Sequence, residues 1–157
     1  MRKATLVFLI KRGNDGKIAK ILLAMKKRGF GKGRWNGVGG KPNPRENITD
    51  CAKREANEEI GIRLSQINNI GVIKFRFKYN EEWNQDVYFF TCEKWEGNPV
   101  ESEEMKPRWF AVDRIPYDKM WPDDKYWMPI ALKETGFAGS ILFGKNDRII
   151  DNTIFER

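Results

Sequence analysis

Six glycines fall within the twelve residues Gly29–Gly40, and two prolines, Pro42 and Pro44, follow at once. No helix or central strand tolerates that density, so residues 25–46 read as one long loop. Loops of this length inside a compact domain are usually functional. What the loop leads into is a helix over residues 47–60. Asn47 is placed to cap its start and Gly61 to stop it. Ile48, Ala52 and Ala56, with Cys51 beside them, form an apolar stripe at helical spacing.

Around this loop and helix the chain reads mostly as strands. Residues 4–10 and 18–24 are β-rich runs separated by Arg12-Gly13-Asn14-Asp15-Gly16, which is hairpin chemistry. Residues 69–79 alternate, with Ile73, Phe75 and Phe77 on one face and Lys74, Arg76 and Lys78 on the other. Further strands are expected at 86–95 and 108–112. A second helix is expected from Pro122 to Gly136, with Pro129 as a kink, and a closing hairpin at 140–144 and 149–155. Two helices flanking many strands predict an α/β (α+β) class with a mixed sheet between helices. At 157 residues and 40% apolar content, one domain over 1–157 is expected.

Composition narrows the chemistry. The chain has no His, which excludes Ser-His-Asp and Cys-His nucleophile systems and His-based zinc sites. A catalytic base must be Asp, Glu, Lys or Tyr, and a metal must be held mainly by oxygen. The formal charge of +7 suits an anionic ligand and equally suits simple solubility. Two distant cysteines fit a reducing, cytoplasmic setting. No apolar run approaches the ~18 residues of a membrane span.

Glu55, Glu58 and Glu59 stand at i, i+3 and i+4, on one helix face roughly opposite the apolar stripe. An arbitrary helix with such a face is usually just solvated. Here the surrounding spacing reads Gly40-x5-Glu46-x7-Arg54-Glu55-Ala56-Asn57-Glu58-Glu59-Ile60-Gly61-Ile62. It fills every fixed position of the Nudix box, a chance event of about one in 10⁸ per start position. The chain thus resembles the Nudix hydrolases, which cleave a nucleoside diphosphate linked to another group. The resemblance implies Mg²⁺, with Mn²⁺ as a substitute, held by Gly39, Glu55, Glu58, Glu59 and a distant carboxylate. Glu101, Glu103 and Glu104 are the candidates for the last, with Glu104 favoured. Arg54 is expected to orient a carboxylate and Glu46 to support the loop–helix junction. Clustered cations neutralise a pyrophosphate and lower the pKa of bound water, which explains carboxylates packed on one face.

Further segments resemble the branch of that family that hydrolyses oxidized purine nucleoside triphosphates. They are Met25-Lys26-Lys27-Arg28-Gly29-Phe30-Gly31 through Gly37, Pro99 through Met105, and Met120-Trp121-Pro122-Asp123-Asp124-Lys125-Tyr126-Trp127. That likeness implies a monomer releasing a nucleoside monophosphate and pyrophosphate, without stable nucleic-acid or membrane partners. Trp121 would stack on the purine, and Asn36, Asp123 and Asp124 would read its edge. Phe30 and Phe75 would line the pocket, with Thr5 and Lys26 beside the nucleoside. Trp121 also fits plain packing, and Asp123-Asp124 after Pro122 also fits ordinary helix N-terminal chemistry. Residues 11–17, Pro44-Arg45 and Glu81–Gln85 depart from the family pattern, and the last departure leaves base preference open. Hydrolysis of dinucleotides or RNA 5′ ends, or noncatalytic nucleic-acid binding, are competing readings.

Overall fold

The computed structural model describes residues Met1–Arg157. Ten strands and two helices follow in order: β1 (Lys3–Arg12), β2 (Ile18–Lys26), β3 (Trp35–Asn36), α1 (Ile48–Ile60), β4 (Arg63–Leu64), β5 (Asn68–Phe77), β6 (Gln85–Cys92), β7 (Trp95–Glu96), β8 (Met105–Ala111), α2 (Asp124–Leu132), β9 (Phe137–Phe143) and β10 (Ile149–Glu156). The main sheet runs β10-β9-β5-β6-β1-β2-β3, with β8 on the other edge of β2. The β1–β6 and β5–β9 pairs are parallel and the rest antiparallel, so the sheet is mixed.

Alternation along the strands feeds two cores. Phe8, Leu23 and Phe89 point to the side covered by Trp127 and Met128 of α2. Val7, Leu22 and Phe90 point to the side covered by Ala52, Ala56 and Ile60 of α1. The sheet therefore lies between the helices, as the patterning implied.

Several boundaries differ from the expectation. The glycine-rich stretch is not loop throughout, because Trp35 and Asn36 pair with Met25 and Ala24. The strand expected over 86–95 ends at Cys92, and Trp95–Glu96 pairs separately with Arg63–Leu64. The second helix starts at Asp124 and stops at Leu132, carrying Pro129 inside it. Its early end matches Glu134, whose φ of 60° is left-handed and cannot continue an α-helix.

One irregularity makes room for a site. β1 and β2 pair only from Ile10 and Ile21 toward their turn. Beyond that they diverge, and residues 35–40 enter the gap. Asn36 pairs with β2, while Val38 pairs with Val7 and the Gly40 carbonyl accepts from Thr5 N at 2.9 Å on β1. The approach is close: a Cβ on Gly39 would stand 1.7 Å from the Thr5 carbonyl oxygen.

Candidate active site

α1 forms where expected. Asn47 Oδ1 accepts from Asp50 N at 2.8 Å, and Gly61 closes the helix at φ 71°. Its carboxylates are not all on a solvated face. Glu58 is exposed, but Glu55 is half-buried and Glu59 is only 4% exposed. The inserted loop covers them. Gly39 N donates to Glu59 Oε1 at 2.8 Å, and a Cβ on Gly40 would stand 2.4 Å from the Glu55 carboxyl carbon. Burial pushes Glu59 up to about 7, against the Gly39 hydrogen bond, with neighbouring Glu55 adding to the rise. Burial also raises Glu55.

Arg54 binds this group together. Its guanidinium donates to both oxygens of Glu46 at 2.9 Å, to Glu55 at 2.9 Å, to Glu58 at 3.1 Å and to the Lys41 carbonyl at 3.0 Å. The paired hydrogen bonds from Arg54 lower the Glu46 carboxyl below its usual range. Glu46 thereby ties the loop to the helix and Arg54 aligns the carboxylate face.

Of the three distant candidates, Glu101 is paired with Lys27 at 2.6 Å, and Glu103 is almost fully exposed. Glu104 sits against Arg28 at 3.5 Å, and its charge contributes to the raised pKa of both Glu55 and Glu59. No three carboxylates converge closely enough to grip a metal in this structure. Arg54 pairs with Glu55 and Glu58, and Arg28 with Glu104. The donor set nevertheless fits a hard divalent ion. All donors are oxygens, and the buried Glu59 carboxylate receives one hydrogen bond only, from Gly39.

Beyond Gly39 and Gly40 the gap between β1 and β2 opens into a cavity of about 500 Å³. Thr5, Lys26, Asn36 and Phe75 line it, as do Phe30 and Trp121. Asp123 and Asp124 line it as well. Thr5 Oγ1 donates to the Gly40 carbonyl at 3.3 Å. Asn36 Oδ1 accepts from Gly37 N at 2.8 Å. The charge of Lys26 partly offsets the rise of Glu59.

The two aspartates are the unusual feature. They are 2% and 3% exposed. Asp123 stands at the N-cap of α2 but makes no capping hydrogen bond. Instead Trp127 Nε1 donates to Asp123 Oδ2 at 2.9 Å and to Asp124 Oδ1 at 3.1 Å. Asp124 Oδ2 is buried without any partner. Ordinary helix-end chemistry therefore does not explain the pair. Burial raises both pKa values, and Asp124 rises further because it faces the charge of Asp123. One shared proton leaves one carboxyl as donor and the other as acceptor.

Sequence reasoning missed part of the wall. Phe77, Trp83 and Phe143 also line the cavity. Trp83 packs on Phe30 with ring centres 5.0 Å apart, and Trp121 packs on Phe143 at 5.7 Å. The i+3 and i+4 spacing of Trp127 from Asp124 and Asp123 was the available signal for the indole that holds them.

Comparisons with known proteins agree with this geometry. A model of the NUDIX domain matches residues 1–130. The oxidized purine nucleoside triphosphate hydrolase of Mus musculus is 45% identical over 137 residues, 87% of either chain. That of Danio rerio is 42% identical over 152 residues, covering 97% of this chain and 93% of its own. The MutT protein of Bacillus halodurans shares the fold at a TM-score of 0.83, with 21% identity over 98% of this chain and 97% of that one. With the box filled, its helix capped and its carboxylates gathered under the glycine loop, the chain belongs to the Nudix family of hydrolases.

Proposed function

We propose that this enzyme hydrolyses oxidized purine nucleoside triphosphates, 8-oxo-dGTP foremost, to the monophosphate and pyrophosphate. The observation that carries the reading is the buried Asp123–Asp124 pair, with an unpartnered oxygen, in a cavity that opens at Gly39–Gly40 onto the Glu55, Glu58 and Glu59 face. A purine fits a space of about 500 Å³ walled by aromatic rings. Trp121 offers a flat face for stacking, and the aspartates offer one donor and one acceptor to the base edge. Phe30 and Phe75 add apolar rings to the lining, and Asn36 adds an amide. Thr5 and Lys26 lie between base and phosphates, where the Lys26 charge suits an anion. Arg54 holds the carboxylates in place while Glu59 and Glu55 give up solvent.

Mg²⁺, or Mn²⁺ in its place, would be held by Glu55, Glu58, Glu59 and Glu104 with the Gly39 carbonyl. Bound there, it supplies charge neutralisation of the pyrophosphate and a more acidic water. Two buried, unpaired cysteines suit the cytoplasm. The relatives from Mus musculus and Danio rerio bear a name for the same reaction.

A panel of 8-oxo-dGTP, 2-oxo-dATP, dGTP and dATP with Mg²⁺, resolved by anion exchange, tests it. The expected result is preferential turnover of an oxidized purine with monophosphate and pyrophosphate as first products. Release of inorganic phosphate first, or a preference for the unmodified nucleotides, overturns it.

A further inference from the structure

Arg34 precedes β3 and is half-buried at the rim of the cavity. Its guanidinium carbon stands 4.0 Å from the centre of the Trp121 ring. Its Nη1 is paired with Asp147 Oδ2 at 3.0 Å, and both side chains are less than a third exposed. Asp147 lies in the β9–β10 turn, where Asn146 and Asp147 have φ of 55° and 58°. Two consecutive left-handed residues without glycine make a costly turn that the surrounding structure must hold. The turn is held by two backbone hydrogen bonds, from Gly144 N to the Arg148 carbonyl at 2.7 Å and from Arg148 N to the Lys145 carbonyl at 3.1 Å. Three segments distant in sequence thus meet in one stack: Asp147, then Arg34, then the indole of Trp121. The hairpin that supplies Asp147 lies beyond residue 130, outside the stretch the family model matches.

We infer that Arg34, clamped by Asp147, is a positioning residue that backs one face of the Trp121 indole and so presents the other face to the purine as a fixed platform. The inference rests on reading the cavity as the purine site. Without the guanidinium the indole would be flanked by Phe30, Phe77 and Phe143, whose rings meet it tilted or edge-on, and a base stacking on it would have to order it first. A planar cation anchored at its far end removes that freedom and adds cation–π attraction. Lysine in place of arginine keeps the charge but not the flat face. The nearby charge also favours the ionised form of Asp123, which links the platform to the edge-reading pair.

Calorimetric binding of 8-oxo-dGMP in metal-free buffer tests the inference without turnover. Arg34→Met, which keeps the stem but loses the plane and the charge, should weaken binding roughly 3–10-fold. Asp147→Asn should weaken it by a smaller factor in the same direction. Asp147→Glu should restore it, and Arg34→Lys should fall between Arg34→Met and wild type. In steady state the same variants should raise KM with kcat within about twofold, the pattern of lost ground-state binding. Circular dichroism melting of each variant separates positioning from folding. The inference is overturned if Arg34→Met leaves Kd within about twofold, if binding tightens because the guanidinium had blocked the stacking face, or if the Kd losses merely follow falls in Tm. Wild-type protein that binds no 8-oxo-dGMP overturns it together with the purine site. A wild type that turns over no oxidized purine triphosphate but shows the Arg34 and Asp147 effects on binding would sink the proposed activity and keep the inference.

Discussion

Glu55, Glu58 and Glu59 come from little more than one turn of α1, whereas the cavity walls come from β1, the glycine loop, β5, the start of α2 and β9. The first region is local and charged. Helical geometry alone puts its carboxylates on one face, and a loop only a dozen residues upstream covers it. The second is non-local and largely aromatic, and it exists only when the whole sheet has closed. A local device is robust to change elsewhere but intolerant of change within. A non-local one spreads its function over many residues, each worth little.

Four experiments break or sharpen that contrast. The largest effect should come from the junction where the two regions touch. Gly39→Ala puts a methyl into the Thr5 backbone, which cannot move without unpairing the loop from β1, so Tm should fall by more than ~10 °C. Gly40→Ala meets only the end of the Glu55 side chain, so turnover should fall while melting barely changes. Equal melting temperatures for the two variants would show that the close approach at Gly39 is not needed.

Next, Glu59→Gln should lower kcat by more than ~100-fold in Mg²⁺ while the Gly39 hydrogen bond, and with it the fold, survives. Glu58→Gln should behave likewise. Undiminished turnover in EDTA would remove the helix face from the chemistry.

A smaller loss is expected in the cavity. Asp123→Asn should cut kcat/KM for 8-oxo-dGTP by about 10-fold, the worth of one buried hydrogen bond to the base. Trp121→Ala should weaken all purines together. If neither Asp123→Asn nor Asp124→Asn alters the ranking of 8-oxo-dGTP, 2-oxo-dATP and dGTP, the pair does not read the base.

The smallest effect is on stability and has the opposite sign. Both aspartates have folded-state pKa values above the ordinary ~3.9. Their contribution is therefore fully present below about pH 3.9 and is lost as pH rises through the folded values. Asp124→Asn never ionises. It should melt a few degrees above wild type at pH 8, with the gap narrowing toward pH 4. A gap that is constant with pH would mean that the pair does not titrate within the fold.

The two regions were not equally legible in the sequence. Box spacing, Asn47 and Gly61 placed α1 and its carboxylates without reference to the rest of the chain, since helix periodicity is a local rule. Burial of Glu59 was not visible, because it depends on a loop that docks across β1. Of the cavity, the stretch Trp121 to Asp124 stood out by resemblance. Phe77 was readable only as a core residue on an alternating strand, and Phe143 only as part of a closing hairpin. Trp83 fell in a segment marked as departing from the family pattern. Arg34 and Asp147 lie more than a hundred residues apart, and no spacing rule joins them. The shortened second helix turned on one left-handed residue, Glu134, which no helix propensity announces.

The parallel pairing of β5 with β9 also bears on how the molecule is made. A chain emerging from the ribosome completes β1, β2, α1, β5 and β6 well before β9 appears. Until then β5 presents an open edge whose unpaired amides and carbonyls can capture another strand. At that stage the carboxylate helix can already be formed, while the cavity lacks the wall supplied by Phe143 and the turn that carries Asp147. A nascent or truncated form would thus own the carboxylate face and the buried aspartates without the wall and the clamp that complete the cavity, and it would be the form most prone to aggregate.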